Sequence, residues 1–345
     1  MTESDDAGGS AAVSLDMEPL PWHGAAREQL ATAVRNGRMP HGLIVRGPEG
    51  VGKERFAGTL AAASCCARPS ADLLPCGECA ECLLSRAGTH PDIHWLRPLE
   101  GKKSIQIDPV RDACERLAMT SLRGGRRMLI ASPAGTMTHA AQNAMLKTLE
   151  EPMPRTLLVL VTSRPSRLLA TLRSRCQAVE LARPAEQATT AWLEGKLGRP
   201  VPAGLVDLAG GAPFRALDLA PRYEPLEAQM CAVLEHVLSG DVDVTRPAAD
   251  MQGEGLPVRL DWLEAWIGGM LRRQIVPDAT RLTFPGARVL QRGAPAVNIS
   301  AAFRMLDRLR EARRLLEGSA APQLVVEALL IDFKAAFGRK GAAVR

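Results

Sequence analysis

The stretch Gly47–Glu54, GPEGVGKE, decides how the first half of the chain is interpreted. It nearly fits the phosphate-binding loop G-x-x-x-x-G-K-[S/T], with Gly47, Gly52 and Lys53 in the expected places. The last position should carry a hydroxyl group for magnesium, and Glu54 places a carboxylate there instead. Backbone N–H groups and the lysine can still hold phosphates, but the carboxylate would repel them. Gly47, Gly52 and Lys53 are therefore candidate nucleotide-binding residues of a degenerate loop.

Strand and helix patterns alternate around this loop. Short apolar runs indicate buried strands at 41–47, 127–131, 157–163 and 176–181. Helical patterns lie between them, and one of these opens at the candidate N-cap Thr138 and stops before Pro152. Strands that alternate with helices predict an α/β fold with a parallel sheet.

Beyond Pro184 the strand patterns fade and helical patterns follow to the end of the chain. Two apolar helical faces are expected, formed by Leu260, Leu263, Ile267, Met270 and Leu271, and by Phe303, Leu306, Leu309 and Leu316. The last helix, 323–337, is apolar over much of its circumference, which predicts a buried helix or a subunit contact. The expected divisions are a disordered tail at 1–17, an α/β domain at 18–182, a small helical domain at 183–226 and a larger helical domain at 227–345.

Composition excludes several classes of protein. The N-terminus is acidic and lacks the basic and apolar regions of a signal peptide. No run of 18 apolar residues occurs, so we expect no membrane span and a cytoplasmic protein. The net charge of +5 permits contact with nucleic acid or an acidic partner without requiring either. In the cytoplasm, the eight cysteines favour a metal site or free thiols over disulfides.

Cys76, Cys79 and Cys82 follow one another at two-residue gaps, and Cys65 and Cys66 precede them. With Cys66 the pattern is C-x9-C-x2-C-x2-C, and four thiolates suit a tetrahedral zinc ion. No second motif typical of catalytic zinc accompanies them, so the predicted site is a closed structural staple within 66–82. An iron–sulfur cluster is the minor alternative, and Cys65 could take the place of Cys66.

Three further motifs complete a family resemblance. They are GTHPDIHWLRP at 88–98, NAMLKTLEEP at 143–152 and LLATLRSRC at 168–176. Together with the loop and the cysteines, they resemble the bacterial clamp-loader subunits of the AAA+ class, which serve DNA polymerase III. The resemblance implies an AAA+-type P-loop domain with a zinc insert, a small helical lid and an all-α C-terminal collar. It also implies a hetero-oligomer with other clamp-loader subunits (gamma/tau and delta) that acts on the sliding clamp and primed DNA.

In this family each ATP site is completed by an arginine from the neighbouring subunit. That arginine is the middle residue of a Ser-Arg-Cys motif, which implies Arg175 here. A guanidinium near the γ-phosphate stabilises the charge that spreads over the phosphoryl oxygens in the transition state. Arg175 is therefore the candidate catalytic residue, acting on a site in another chain.

The chain's own site lacks a second element. A motor subunit would carry Asp-Glu after the 127–131 strand, whereas Ser132 and Pro133 stand there. Without that carboxylate we expect no ATP hydrolysis, and ATP binding is doubtful. Glu150 and Glu151 end a helix, where they are interpreted as capping or inter-subunit salt-bridge residues.

These observations favour a non-hydrolysing clamp-loader subunit that supplies Arg175 to a neighbour. Two alternatives stay open: an ATP-hydrolysing motor subunit of the same complex, and a zinc-stabilised DNA-binding regulatory module. An active subunit would also carry a lid arginine near 210–217, and Arg215 lies one residue from its expected position.

Overall fold

The computed structural model describes residues 17–239, 243–275, 283–291 and 298–338. Residues 1–16 of the predicted disordered tail lie outside these ranges, whereas Met17 is described and is buried. The chain divides into two compact units, the first up to Pro184 and the second from Ala185. Within the described ranges, no helix is both long enough and apolar enough to span a membrane.

The first unit is built on a five-stranded parallel sheet. Its strands are β1 (Gly42–Arg46), β2 (Ile93–Leu96), β3 (Arg127–Ala131), β4 (Thr156–Thr162) and β5 (Gln177–Glu180). Their order across the sheet is β2-β3-β4-β1-β5, and every neighbouring pair is parallel. The predicted α/β class is correct, and four of the strands were predicted. The edge strand β2 was not, because its four residues are too few to show a clear period.

Helices cover both faces of this sheet. They are α1 (Gly24–Arg35), α2 (Lys53–Cys65), α3 (Ala80–Ala87), α4 (Ile107–Ala118), α5 (His139–Ala144), α6 (Leu146–Glu150) and α7 (Ala170–Arg175). Short 3-10 turns occur at Pro21–His23, Ala134–Thr136 and Pro165–Arg167. Successive strand side chains point to opposite faces. Val45 therefore packs in a core with Leu30 and Phe56, and Ile44 packs in a second core with Val110 and Leu172.

The N-cap prediction at Thr138 is confirmed. Its side-chain oxygen accepts a hydrogen bond of 3.2 Å from the backbone N–H of Ala141, which satisfies one of the free donors of the first helical turn. The predicted single helix is interrupted at Met145, so that α5 and α6 are separate elements.

The second unit is helical in its described residues. Its helices are α8 (Glu186–Leu197), α9 (Leu205–Leu208), α10 (Pro213–Leu219), α11 (Tyr223–Ser239), α12 (Thr245–Asp250), α13 (Leu256–Ile275), α14 (Ala287–Gln291), α15 (Ile299–Leu316) and α16 (Pro322–Phe337), with a 3-10 turn at Ala220–Arg222. The proposed boundary between lid and collar, 226/227, falls inside α11, and the lid and collar limits stay a prediction.

The apolar face predicted for α13 is buried in full and packs with Trp262 and Trp266. The face predicted for α15 is partly wrong, because Phe303 is 54% exposed. The buried residues of that helix are Ala301, Ala302, Met305, Leu309 and Ala312. Small alanines bring α15 close to its neighbours, and an apolar pattern based on large side chains alone does not reveal that face.

Candidate functional site

The degenerate phosphate loop connects β1 to α2 at the carboxyl end of the sheet. Lys53 is the first residue of α2 and is buried, and its Nζ donates to the carbonyl of Pro48 within the loop, at 2.5 Å. Burial lowers the pKa of Lys53, and the nearby carboxylates of Glu49 and Glu54 partly oppose that shift. The lysine that would bind a nucleotide phosphate therefore points into its own loop and binds the carbonyl of Pro48.

Glu54 contacts the tip of β3, where the acidic residue of a motor subunit would stand. Its Oε1 accepts a hydrogen bond of 2.6 Å from the Ser132 hydroxyl, and its Oε2 accepts one of 2.9 Å from Arg97. Arg97 also lies over the ring of Trp95, 4.6 Å from the ring centroid. A working site would carry a hydroxyl at position 54 and a carboxylate after β3. Here the carboxylate is at Glu54, the hydroxyl is at Ser132, and the two side chains bind each other.

Gly47 is required by packing at the end of the neighbouring strand. A Cβ atom on Gly47 would lie 2.3 Å from the backbone carbonyl oxygen of Leu181, which follows β5. Its φ of 154° also disfavours other residues. Gly52 adopts a left-handed conformation, with φ of 85°, at the start of α2. Both predicted glycines have conformational roles in the fold.

Two aromatic side chains fix the middle of the loop. The ring N–H of Trp22 donates to the Val51 carbonyl at 2.9 Å, and Nε2 of His23 lies 2.9 Å from the same oxygen. His23 must donate there, and burial lowers its pKa to about 4, so its ring is neutral near pH 7. Sequence reasoning did not find these residues, because they lie 29 and 28 positions from Val51.

The four predicted cysteine ligands meet in space. The thiol sulfurs of Cys66, Cys76, Cys79 and Cys82 all lie within 4.8 Å of one another. Two of the pairs, Cys76–Cys82 and Cys66–Cys79, are 3.9 Å apart, close to the spacing of about 3.8 Å on the edge of a zinc tetrahedron. This geometry fits a four-thiolate metal site.

Backbone N–H groups point at these sulfurs, as a thiolate site requires. Cys66 Sγ accepts from the N–H groups of Arg68 and Cys76, each at 3.3 Å. Backbone donors from Glu78 and Cys79 lower the pKa of Cys76 to about 6. In contrast, the thiol of Cys65 donates to the carbonyl of Arg126, at 3.3 Å, and burial raises its pKa to about 12. The structure brings Cys66 into the cluster and turns Cys65 away from it.

Arg175 is the last residue of α7 and its side chain is 37% exposed. Its Nη1 donates to the carbonyl of Thr171 at 3.1 Å, and its Nη2 forms an ion pair of 2.8 Å with Glu150. The guanidinium therefore lies at the surface of the first unit, at the end of a short helix.

A family model described as "DNA polymerase III, delta subunit" matches residues 22–185. DNA polymerase III subunit delta' of Pseudomonas aeruginosa is 34% identical over 320 residues, which cover 91% of this chain and 96% of that protein. The chain belongs to the DNA polymerase III subunit delta' family. The delta' subunit of Escherichia coli is 34% identical over 275 residues, 78% of this chain and 81% of that protein.

Membership of the delta' family confirms the clamp-loader resemblance. A subunit gamma/tau from Mycobacterium bovis is 33% identical over 147 residues, 42% of this chain and 25% of that protein. A solved structure of a DNA polymerase III gamma subunit-related protein from Thermotoga maritima superposes with a TM-score of 0.46 at 18% identity, covering 90% of this chain and 99% of that one.

A partly buried polar cluster attaches the cysteine module of this delta' family member to its sheet. Glu81, which lies between Cys79 and Cys82, pairs with Arg123 at 2.7 Å and lies 3.0 Å from Nε2 of His90. Asp92 accepts hydrogen bonds from the Ser121 hydroxyl and from two backbone N–H groups, those of Leu122 and Arg123. The polar side chains of His90 and Asp92, from the 88–98 motif, therefore join the module to the loop before β3.

Arg215, the candidate lid arginine, lies within the second unit of this delta' family chain. Its guanidinium forms an ion pair with Asp261 of α13. Arg313 binds the same carboxyl group at 2.7 Å and also Glu264 at 2.5 Å. In the structure Arg215 thus joins α10 to α13.

Proposed function

We propose that this chain is a non-hydrolysing subunit of the DNA polymerase III clamp loader that supplies Arg175 to the ATP site of a neighbouring subunit. The observation that carries the proposal is the contact between Glu54 and Ser132. It occupies the place where a working site would hold magnesium and polarise the attacking water.

The chemistry of the loop argues against turnover at this chain's own site. A general base must lie within hydrogen-bond reach of the attacking water. At the tip of β3 the described residues are Ser132 and Pro133, and neither can act as a carboxylate base. Lys53 is engaged with Pro48, and the negative charge of Glu54 faces the position of the phosphates. The motor-subunit alternative therefore lacks a carboxylate on the residues that follow β3, and the nearby Glu54 carboxylate is engaged with Ser132 and Arg97.

Arg175 has the chemistry that a neighbouring site needs. A guanidinium is always charged and offers five N–H donors in a rigid plane, which suits phosphoryl oxygens. In related enzymes an arginine supplied in trans accelerates phosphoryl transfer by about 10³–10⁵. The exposed position of Arg175 at the end of α7 supports this role.

We propose that the cysteine cluster holds a structural zinc ion. Cys66, Cys76, Cys79 and Cys82 would provide the four ligands, and the set leaves no position for a substrate. Zinc would supply rigidity there and no chemical step, because a closed tetrahedral site binds nothing further. Its binding energy would contribute directly to the folding of residues 66–82.

The proposed partners are the other clamp-loader subunits, gamma/tau and delta, with the sliding clamp and primed DNA reached through the complex. We place the assembly in the cytoplasm. The last described helix of the proposed collar, 227–345, is α16, which carries an exposed apolar stripe of Leu324, Ala328, Ile331 and Ala335. Their spacing of four, three and four residues puts them on one face of the helix, where a second subunit could cover them.

Replacement of Arg175 tests the proposal. Arg175→Ala should leave the chain folded and the complex assembled, but lower ATP hydrolysis by the neighbouring subunit. Arg173→Ala is the matched control, because Arg173 is an exposed arginine on the same helix. ATP turnover of the reconstituted complex on primed DNA is measured. Unchanged turnover with Arg175→Ala, or turnover by this chain alone, would refute the proposal.

A further inference from the structure

The guanidinium of Arg175 is held from two sides. Arg175 is the last residue of α7, and Glu150 is the last residue of α6, which packs beside α7. Glu150 Oε1 lies 2.8 Å from Nη2, while Nη1 donates to the carbonyl of Thr171 at 3.1 Å. An arginine side chain has several rotatable bonds, so two contacts on different nitrogens restrict the orientation of the whole plane.

The backbones that carry this pair are fixed by close packing below it. Gly42 begins β1, and a Cβ atom there would lie 2.7 Å from Leu149 Cδ2 and 2.9 Å from Cys176 Sγ. The carbonyl oxygen of Arg175 would lie 3.5 Å from the same atom. Leu149 precedes Glu150 and Cys176 follows Arg175, so both ends of the ion pair are anchored through neighbours that meet over Gly42. The pair is therefore built on a buried platform, unlike a contact between two freely moving surface side chains.

The two contacts leave donors free. A guanidinium has five N–H groups, and one hydrogen on each Nη nitrogen is used by Glu150 and Thr171. Nη1 also lies 3.5 Å from the hydroxyl oxygen of Ser174. The Nε–H group and the second hydrogen of Nη2, which make no contact among the described residues, remain for another acceptor on a side chain that is 37% exposed. A triphosphate held by a neighbouring subunit offers such acceptors without displacing Glu150.

We propose that Glu150 is a positioning residue for Arg175. Its carboxylate orients the guanidinium so that the free N–H groups face the neighbour's nucleotide before that nucleotide arrives. Preorganised donors stabilise developing charge without the cost of reorganisation at the moment of reaction. This inference rests on the proposed function of Arg175, and the experiment below separates the two.

The experiment measures ATP turnover by the reconstituted clamp loader on primed DNA, with kcat and KM for ATP. The Arg175-dependent turnover is the rate with the unaltered chain minus the rate with Arg175→Ala. Glu150→Ala should reduce that part of kcat by about two- to fivefold, the scale of one half-exposed ion pair. KM for ATP should stay within about twofold, because the change affects the orientation of a charge needed in the transition state.

Two variants distinguish positioning from charge. Glu150→Gln removes the negative charge but keeps an acceptor oxygen, so it should retain most of the Arg175-dependent kcat. Glu115→Ala is the control, because it removes the same charge from an exposed residue of α4, and it should leave turnover unchanged. In the double variant Glu150→Ala/Arg175→Ala, the rate should equal that of Arg175→Ala alone.

The outcomes assign failure to one proposal or the other. If Arg175→Ala itself has no effect, the proposed function fails. If Arg175→Ala lowers turnover while Glu150→Ala leaves it unchanged or raises it, the positioning role is overturned and the proposed function stands. Thermal unfolding of the isolated Glu150→Ala chain should match that of the unaltered chain, because a half-exposed pair contributes little to stability.

Discussion

At the scale of single residues, the loop between β1 and α2 is held by side chains of the same chain. Trp22 and His23 bind its middle, Lys53 binds its start, and Glu54 binds the tip of β3. The loop therefore keeps the outline of a phosphate site, while its lysine and the carboxylate of Glu54 already have partners within the chain.

Glu54→Thr should open this loop to nucleotide. The change removes a negative charge next to the phosphate position and restores a hydroxyl group for magnesium. We expect binding of a fluorescent ATP analogue, with magnesium, to tighten by about tenfold or more, which is roughly 1.4 kcal/mol. Hydrolysis should stay absent, because Ser132 still stands at the tip of β3.

The matched control for that change is Glu49→Gln. Glu49 is an exposed carboxylate of the same loop and lies near Lys53, but neither Ser132 nor Arg97 is among the contacts described for it. The affinity of Glu49→Gln for the ATP analogue should stay close to that of the unaltered chain. Equal affinities for the unaltered chain and Glu54→Thr would contradict the role assigned to Glu54.

Acid should destabilise the first unit through His23. Burial lowers its pKa to about 4, whereas the same side chain has its ordinary value near 6.5 when unfolded. Between these values the unfolded chain binds a proton that the folded chain does not, so stability is lost as pH falls below 6.5. From pH 7 to pH 5 the contribution of His23 to the free energy of unfolding should fall by about 2 kcal/mol.

Denaturant unfolding at pH 7 and pH 5 measures this loss. Burial also lowers the pKa of His90 and His94, so the total loss in the unaltered chain should exceed that from His23 alone. His23→Gln should reduce the pH dependence, and His139→Gln, at an exposed histidine, should keep it. A His23→Gln chain with the original pH dependence would contradict the assignment.

Some of these residues could be predicted from sequence and others could not. Gly47, Gly52, Lys53 and Arg175 stand in short sequence motifs, and such motifs can be found without the structure. The partners Arg97 and His23 contact residues 43 and 28 positions away, and only the folded chain brings them together. The motif predicts what a position should hold, but the tertiary packing decides which side chain occupies it.

At the scale of elements, the cysteine module is inserted between α2 and β2. Its cysteine spacing follows from the tight turns that ligands on one metal ion require, so it was visible in the sequence. Its attachment through Glu81 and Asp92 was not visible, because charged residues in a short helix or a turn are ordinarily solvated.

Cys79→Ser should remove the metal and destabilise the module. A structural zinc site needs all of its thiolates, and its binding energy is folding energy. We expect about one zinc ion per chain in the unaltered protein, little in Cys79→Ser, and a lower unfolding temperature for that variant. Elemental analysis and thermal unfolding measure both effects.

Cys65→Ser is the control for the ligand assignment. Its thiol donates to the carbonyl of Arg126, and a serine hydroxyl can make the same hydrogen bond. Zinc content should therefore be retained in Cys65→Ser and lost in Cys66→Ser. If zinc were instead lost in Cys65→Ser and retained in Cys66→Ser, the fourth ligand would be Cys65 and not Cys66.

At the scale of the whole molecule, the chain forms two compact units with different architectures. The α/β class and the all-helical second half were predicted, because hydrophobic periodicity is a property of each segment. The order of strands across the sheet was not predicted, since β1 lies between β4 and β5 through contacts more than 100 residues apart. Such pairings depend on the packing of both faces at once.

The exposed stripe of α16 leads to a prediction about assembly. Leu324 is 66% exposed and Ile331 is 56% exposed, and burying an aliphatic side chain is worth about 1.5–3 kcal/mol. Ile331→Glu should therefore weaken assembly with the other clamp-loader subunits by about tenfold or more, while the isolated chain stays folded.

Sedimentation of the reconstituted complex over a range of concentrations measures that loss. Leu99→Glu is the control, because Leu99 is 59% exposed in the first unit and lies outside the proposed collar. It should assemble normally. Normal assembly of Ile331→Glu would remove α16 from the proposed contact surface.

Gly47 carries a consequence for how such chains are recognised. Any larger residue there would collide with the main chain at Leu181, whether or not a nucleotide ever enters. Selection for a correctly folded sheet would then preserve the first glycine of the motif even after nucleotide binding had been lost. A glycine at this position therefore indicates that the end of β1 packs closely against the residue after β5, and by itself does not indicate nucleotide binding.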